Sequence, residues 1–196
     1  MNFKNIFLAM KNLFILLVIL GALQSLNAQT YPDLEYPNEV YAFQKDSNRL
    51  TRLEKQISTL DTKMKRNSVE SCYWIDKERS TIRINNSSQF TFVFREDSEM
   101  SSTPGLSPES SLSFHSIELY KMEPSKGKRK IAMISSNASP QKFEQAESLP
   151  LNFQRISEGY YEFVIDKPLP RGEYAFVIKR NDSLTNEVVI FAIGVE

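Results

Sequence analysis

The sequence predicts a mostly β domain built as a sandwich, because short strand-like segments follow one another with turn residues between them. A spacing of roughly 8–12 residues between such segments is typical of sandwiches and barrels. The predicted strands after residue 71 are Cys72–Asp76, Thr81–Asn85, Gln89–Arg95, Ser116–Met122, Lys130–Ser135, Leu151–Ile156, Tyr160–Asp166, Glu173–Lys179 and Val188–Val195.

Hydrophobic alternation supports this interpretation. Phe90, Phe92 and Phe94 occupy every second position of one segment, which places the three rings on the same face of a strand. Residues 188–193 are apolar on both faces instead. A strand with two apolar faces is buried on both sides, so we expect this one at the centre of the fold.

A corner motif sharpens the fold class. Leu169-Pro170-Arg171-Gly172-Glu173-Tyr174 combines turn residues with a tyrosine at the start of a strand. In sandwiches of the immunoglobulin kind, the hydroxyl of such a tyrosine bonds back to the backbone across the corner. We therefore expect an immunoglobulin-like β-sandwich in which residues 173–179 form the penultimate strand and 188–195 the last.

Residues 47–64 allow two interpretations. Five apolar residues lie alternately three and four residues apart, as on one face of an amphipathic helix: Leu50, Leu53, Ile57, Leu60 and Met64. This spacing predicts one short helix near 54–64. In the alternative, residues 40–43 pair with 50–54 as a hairpin across the polar turn 45–48.

The N-terminus has the parts of a cleavable secretory signal peptide, which we assign to residues 1–28. Lys4 and Lys11 give it a positive start, Leu13–Leu23 is an apolar run, and Ala28 is a small residue at the expected cleavage position. The alternative is a membrane anchor, but a spanning helix needs about 20 apolar residues. We expect no membrane span after cleavage and a location in the periplasm, at the cell surface or outside the cell.

The rest of the chain is predicted to form one domain. Residues 29–38 contain two prolines and no periodicity, so we expect an extended lead-in. Residues 39–196 form a single β-rich domain, which is the usual outcome for this length. Within it, residues 96–113 are rich in serine and poor in apolar residues, and we expect a long loop there.

Composition excludes several classes of partner and site. Removal of residues 1–28 takes away two of the 24 basic residues and none of the 24 acidic residues. The mature chain therefore has no excess of positive charge, and we expect no basic face for nucleic acid. The local basic run 126–130 is interpreted as a solvated hairpin tip. Cys72 is the single cysteine, which excludes an internal disulfide and indicates a buried thiol in its apolar surroundings.

Sequence motifs give no catalytic or cofactor site. His115 is the single histidine, so a zinc site with two histidines is impossible, and neither His115 nor Cys72 lies in a nucleophile motif. Phosphate-binding glycine loops, the G-x-S-x-G elbow and the D-x-D-x-D-G calcium loop are missing. We therefore expect no cofactor and no metal.

Two pairs of adjacent aromatic residues are the candidate ligand-binding residues. Tyr73-Trp74 and Tyr160-Tyr161 place rings on both faces of their predicted strands. If one face is core, the other ring lies near the surface, where a strip of aromatic rings could hold a sugar. The alternative is that these rings pack beneath loops.

The mature chain resembles exported bacterial β-domains that remain uncharacterised. The matching segments are Val40–Phe43, Leu53-Glu54, Ile117–Lys121, Gly172–Phe176 and Phe191–Val195. The resemblance implies an exported β fold and favours the hairpin at 47–54. It implies no activity and no binding residues.

These observations rank three functional hypotheses. The first is an exported, non-enzymatic β-sandwich that acts through contact with a protein partner. The second is a carbohydrate-binding module with exposed aromatic rings, and the third is a small hydrolase. A contact protein can offer an unpaired sheet edge, a sugar-binding module needs coplanar exposed rings, and a hydrolase needs a pocket of converging polar groups.

Overall fold

A computed structural model describes residues 31–66, 68–85, 90–97, 117–138, 141–179 and 187–196. The fold belongs to the unit formed by residues 34–196. The signal peptide predicted at 1–28, His115 and nearly all of the serine-rich loop predicted at 96–113 lie outside the described residues. Residues 31–39 contain no helix or strand, and Leu34 is buried there.

The described residues form fourteen β-strands and one short 3-10 turn at 45–47. The strands are β1 (Val40–Gln44), β2 (Arg49–Arg52), β3 (Glu54–Thr59), β4 (Asp61–Lys65), β5 (Ser68–Asp76), β6 (Arg83–Ile84), β7 (Phe90–Arg95), β8 (Ile117–Ser125), β9 (Lys128–Ala138), β10 (Gln141–Gln145), β11 (Asn152–Ser157), β12 (Tyr160–Val164), β13 (Gly172–Lys179) and β14 (Glu187–Val195).

The strands form two curled antiparallel sheets. A five-stranded sheet has the order β11-β12-β7-β1-β2, and a nine-stranded sheet has the order β3-β14-β13-β8-β9-β5-β4, with β10 beside β9 and β6 beside β14. All pairings are antiparallel except that of β6 with β14. The chain passes from one sheet to the other at Leu53, a buried residue between β2 and β3.

The first core lies between the two sheets. Phe92 and Phe94 are fully buried there, and Phe90 packs against them, so the predicted shared face of β7 is confirmed. The ring centroids of Phe92 and Phe176 lie 4.6 Å apart in an edge-to-face arrangement, which joins the sheets directly. The predicted mostly β, sandwich-like fold is therefore confirmed. The specific immunoglobulin-like arrangement stays a prediction.

A second core lies on the other side of the nine-stranded sheet, inside its curl. Its buried members include Ile75, Ile131, Val177 and Ile190. The alternate residues of β13 and β14 therefore enter different cores, and eight residues of β14, from 188 to 195, are buried. The predicted central position of this strand is confirmed.

The predicted helix near 54–64 is wrong, because β3 and β4 occupy this stretch. Ile57 is 61% exposed and Met64 is 79% exposed, so these members of the apolar stripe do not face a core. The side chains of Glu54, Gln56 and Ser58 point towards the second core instead, opposite Ala192, Ile190 and Val188 of β14. Because polar residues occupy the inward positions, the alternation of apolar and polar residues that identifies a strand is not visible in the sequence.

The alternative hairpin is confirmed at the start of this region. β1 pairs with β2, with Tyr41 opposite Arg52 and Phe43 opposite Leu50. The 3-10 turn at 45–47 ends at Asn48, whose φ of 49° lies in the left-handed region that asparagine tolerates.

The tyrosine corner is also confirmed. The Tyr174 hydroxyl donates a hydrogen bond to the Pro170 carbonyl at 2.8 Å, and the ring is buried. Burial raises the pKa of Tyr174, so the phenol stays neutral and able to donate. As predicted, the strand after the corner, β13, is penultimate and β14 is last.

Candidate functional site

Three of the four candidate aromatic residues are buried. Tyr73 is 8% exposed and belongs to the second core, whereas Tyr161, at 7%, belongs to the first. Tyr160 is 8% exposed on the outer face of the five-stranded sheet, where Glu162 and Val93 are also buried. These rings do not form the exposed coplanar strip that the carbohydrate-binding hypothesis requires, because all three are buried.

Trp74 is the one candidate that keeps partial exposure. It lies on the outer side of β5, and the Lys63 ammonium lies 5.1 Å from the centroid of its ring. This distance is within the range of a cation–π contact. The structure therefore places Trp74 apart from the three buried tyrosines rather than in one site with them.

Cys72 does not have the environment of a nucleophile. The thiol is buried, and burial raises its pKa to about 11, with a further contribution from the nearby Glu70 carboxylate. A reactive cysteine needs a lowered pKa and an electropositive surrounding. The predicted buried, inert thiol is consistent with this setting.

The most concentrated group of charges lies at one end of the curled sheet, around Arg129. Its side chain is fully buried, and Nη2 donates to Glu54 Oε1 at 2.7 Å while Nη1 donates to Glu173 Oε2 at 3.4 Å. The remaining donors reach the carbonyls of Asp76 and Lys77 at 3.1 and 3.0 Å. Arg129 therefore connects β3, β13 and the end of β5.

The loop after β5 completes this arginine–glutamate cluster. The Ser80 N–H donates to Glu173 Oε2 at 2.8 Å, and its hydroxyl donates to Glu54 Oε2 at 2.9 Å. Arg83 Nη1 adds a bond to Glu173 Oε1 at 2.7 Å. Both carboxylates thus accept several charge-assisted or backbone hydrogen bonds.

The electrostatics of the cluster favour a structural role. Burial by itself raises the pKa of Glu54, but hydrogen bonds from the Thr81 N–H, Ser80 and Arg129 outweigh it and lower the pKa. A general acid near neutral pH needs the opposite shift. Glu54 therefore acts as an acceptor that holds Arg129, and Glu173 accepts a hydrogen bond from the same guanidinium.

The local pattern around Arg129 is misleading. The basic run 126–130 does form a hairpin tip, with Lys126 (φ 53°) and Gly127 (φ 79°) in a two-residue turn between β8 and β9. Lys126 and Lys128 are exposed there, as predicted, but Arg129 points into the protein. Nothing in the local sequence separates this arginine from its solvated neighbours, because its partners lie far away in the chain.

An open sheet edge is a second feature, and it lies at β11. Among the strands that the structure describes, β11 pairs only with β12, and Asn152, Phe153, Gln154 and Arg155 are all exposed. The pairing is regular from 152 to 155, and a bulge follows between Arg155 and Ser157. Backbone N–H and C=O groups on the outer side of such a strand can pair with another chain.

Phe153 makes this edge unusual. It lies opposite Phe163 of β12, a core residue, with ring centroids 5.1 Å apart in an edge-to-face contact. Phe153 is nevertheless 42% exposed. The aromatic core of the sandwich therefore reaches the surface at β11.

Two other edge strands, β4 and β2, carry more charge. β4 contains Asp61, Lys63 and Lys65 among its five residues, and β2 has four residues of which two are arginines. Charged and short strands are the usual protection against unwanted pairing. Compared with β4 and β2, β11 has one charged residue and an exposed ring, so of these three edges it is the best suited to bind a strand.

Searches of the chain for other sites and relatives are negative. Over the described residues, no group of three histidine, cysteine or acidic side chains could hold a metal ion, and no helix has the length and apolarity to cross a membrane. A comparison with known proteins finds no matching family model, no matching curated sequence and no matching solved structure. Function must therefore be inferred from the geometry of the chain itself.

Proposed function

We propose that this protein is an exported, non-enzymatic β-sandwich protein that binds a protein partner by adding an extended segment of that partner to the β11 edge. It acts in the cell envelope or outside the cell. The observation that carries the proposal is the exposed, singly paired strand β11 with Phe153 at the margin of the sandwich core.

The energetics of strand addition fit this edge. A partner strand would satisfy outward backbone groups of residues 152–155, and such hydrogen bonds supply affinity in β-augmentation. The exposed part of Phe153 corresponds to roughly 80 Å² of apolar surface. Its burial contributes about 2 kcal/mol at roughly 25 cal/mol per Å².

The geometry also defines the chemistry of the partner. Side chains of an added strand alternate between faces, and those on the side of Phe153 and Phe163 would extend the core. We expect apolar residues at these alternate positions of the partner. An acidic residue on the same face would suit Arg155, which shares that face with Phe153.

Export is supported by the leader predicted at residues 1–28. The carbohydrate-binding alternative has less support, because Tyr73, Tyr160 and Tyr161 are buried. The hydrolase alternative has less support as well, because arginines hold the carboxylates of Glu54 and Glu173.

The test is selection of binding peptides followed by mapping of the bound edge. A display library of extended peptides is selected against the purified protein, and amide hydrogen exchange locates the peptides. We expect sequences with alternating apolar residues, and increased protection of residues 152–157. Failure to obtain any peptide that binds with a Kd below about 1 mM would overturn the proposal.

A matched pair of variants makes the test specific. Phe153→Lys places a charge on the proposed edge, and Ile57→Lys makes the same change at an apolar residue of β3 that is more exposed. We expect roughly tenfold or greater loss of peptide affinity for Phe153→Lys alone. Equal affinities of the two variants would show that the peptides bind elsewhere.

A further inference from the structure

A cavity of about 390 Å³ opens at one end of the sandwich, away from the β11 edge. It lies between the ends of the β1–β2 hairpin and β7 on one side and the β6 segment on the other. Its lining consists of Ala42, Gln44, Arg49, Thr51, Thr81, Ile82, Arg83, Ile84, Asn85 and Phe90.

Strand register shows that Arg49 occupies a core-facing position. Gln44 of β1 pairs with Arg49 on one side and with Phe90 on the other, so the three side chains share one face of the sheet. Along β2, that face continues through Thr51 to the buried Leu53. Arg49 is exposed at the end of this face, so its charged group lies in solvent at the mouth of the cavity.

The cavity combines an apolar floor with a positive rim. Ile82, Ile84 and Phe90 are partly buried against the first core, and Ala42 belongs to that core. None of the ten lining residues is acidic. In the part of the chain that the structure describes, Arg49 forms no ion pair with an acidic side chain.

Arg83 forms the opposite wall and is held firmly. Its guanidinium bonds to Glu173 and Glu196, and it lies flat on Gly194, where an added Cβ would overlap it. The two carboxylates offset the charge of Arg83, so Arg49 is the cation available to a ligand among the described residues that line the cavity.

We propose that this cavity binds a small organic anion, a carboxylate attached to an apolar body. The carboxylate pairs with Arg49, whose planar guanidinium can bind both oxygens. The apolar body extends over Phe90, Ile82 and Ile84 towards Ala42. The volume is within the range of small-molecule sites, and the lining combines four apolar residues with six polar or charged ones, which suits a ligand with an apolar and a charged part.

A neighbouring cavity provides a useful contrast. On the other side of Arg83, a cavity of about 640 Å³ is lined by Arg79, Arg83 and Arg171 together with Glu78, Glu173 and Glu196. Its positive and negative side chains are equal in number, so it does not select an anion. Arg79 in that cavity is an exposed arginine that can serve as a matched control.

The experiment is a calorimetric titration of the purified protein with octanoate, with 1-octanol and acetate as probes that lack the charge or the apolar body. We expect saturable one-site binding of octanoate and much weaker binding of the other two. Arg49→Gln should weaken octanoate binding roughly tenfold or more, Arg49→Lys should restore part of it, and Arg79→Gln should leave it unchanged.

The proposal has clear contrary outcomes. Failure of octanoate to bind, a signal that does not saturate, or equal affinities of Arg49→Gln and the unmodified protein would each overturn it. Because Arg49 is exposed, its replacement should not unfold the protein, and an unchanged thermal midpoint checks this point. The site is independent of β11, so Phe153→Lys should bind octanoate normally.

Discussion

The two cores of this protein are closed in different ways. Between the sheets, aromatic and aliphatic side chains such as Phe92, Phe163 and Phe176 meet directly, with centroids 4.6 to 6.1 Å apart for the pairs that include Phe176. Inside the curled sheet, by contrast, β3 is joined to β5 by polar side chains. The backbone N–H of Trp74 donates to Ser58 Oγ at 3.1 Å, and the Ser58 hydroxyl donates to the backbone carbonyl of Trp74 at 3.0 Å.

The polar closure continues along β3. Gln56 Oε1 accepts a bond from the Asp76 N–H at 3.1 Å, and Glu54 holds Arg129. Two inward side chains, Ser58 and Gln56, thus join β3 directly to β5, and Glu54 reaches the end of β5 through Arg129. A core made of apolar contacts loses stability in proportion to the volume removed, whereas a polar closure loses it when a single partner is removed and a buried group stays unsatisfied. Four measurements distinguish the two.

The largest effect is expected for Arg129→Met. This change leaves the buried carboxylates of Glu54 and Glu173 without their shared cation, and breaking a buried ion pair costs about 3–5 kcal/mol. Urea unfolding measures the loss. The triple variant Arg129→Met, Glu54→Gln, Glu173→Gln should recover part of it, because no charge is then left unpaired. A stability of Arg129→Met equal to that of the unmodified protein would refute the role of the cluster.

A smaller loss is expected for Ser58→Ala. It removes the partner of both the backbone N–H and the backbone C=O of Trp74. Unsatisfied buried polar groups of this kind lower the free energy of unfolding by about 1–3 kcal/mol. Ser58→Thr keeps the hydroxyl and is the matched control, with a stability close to that of the unmodified protein. Hydrogen exchange should also show faster exchange of the Trp74 amide in Ser58→Ala. If Ser58→Ala unfolds at the same urea concentration, the polar closure is not holding β3 to β5.

The first core, between the two sheets, is tested by Tyr174→Phe. We expect this change to lower the free energy of unfolding by about 1–2 kcal/mol. The ring continues to fill the first core, and only the hydrogen bond to the Pro170 carbonyl is lost. The denaturation midpoint measures the change. An unchanged midpoint would mean that packing, without the hydroxyl, determines the corner.

The smallest expected effect is a dependence of the protein's stability on pH. The folded-state pKa of Glu54 lies below its ordinary value of 4.5, so its contribution to stability is present above that value and is lost as the pH falls through the folded pKa. Thermal unfolding at pH 6 and pH 3 should show a smaller difference for Glu54→Gln than for the unmodified protein. Glu158→Gln, in the exposed β11–β12 turn, should retain the full difference. Identical pH profiles for all three proteins would contradict this assignment.

Local patterns were enough to predict several parts of the fold. The alternation of phenylalanines in β7, the doubly apolar β14 and the corner at Tyr174 all depend on residues close together in the chain. β3 could not be predicted in this way, because the side chains that face its core are polar. Its apolar residue Ile57 points outward and suggested a helix.

The candidate sites depended even more on the tertiary structure. One ring of each adjacent aromatic pair was expected near the surface, since an alternating strand often has one solvated face, but Tyr73, Tyr160 and Tyr161 are all buried. The exposed edge at β11 was not evident, because its segment 151–156 resembles other strands in composition. Whether a strand is central or at an edge depends on the order of strands in the sheet.

Local patterns alone predict the β class, the corner and the two final strands, because hydrophobic periodicity and turn chemistry act over a few residues. They leave the hairpin of β1 and β2 as one of two interpretations. Which polar residues are buried, and which edge is open, depends on how the sheets assemble. Arg129 and Glu54 are 75 residues apart, and Ser80 and Glu173 are 93 apart. A hydrogen bond or ion pair between such residues leaves no local pattern, because its energy depends on burial and geometry that arise only when the sheets assemble.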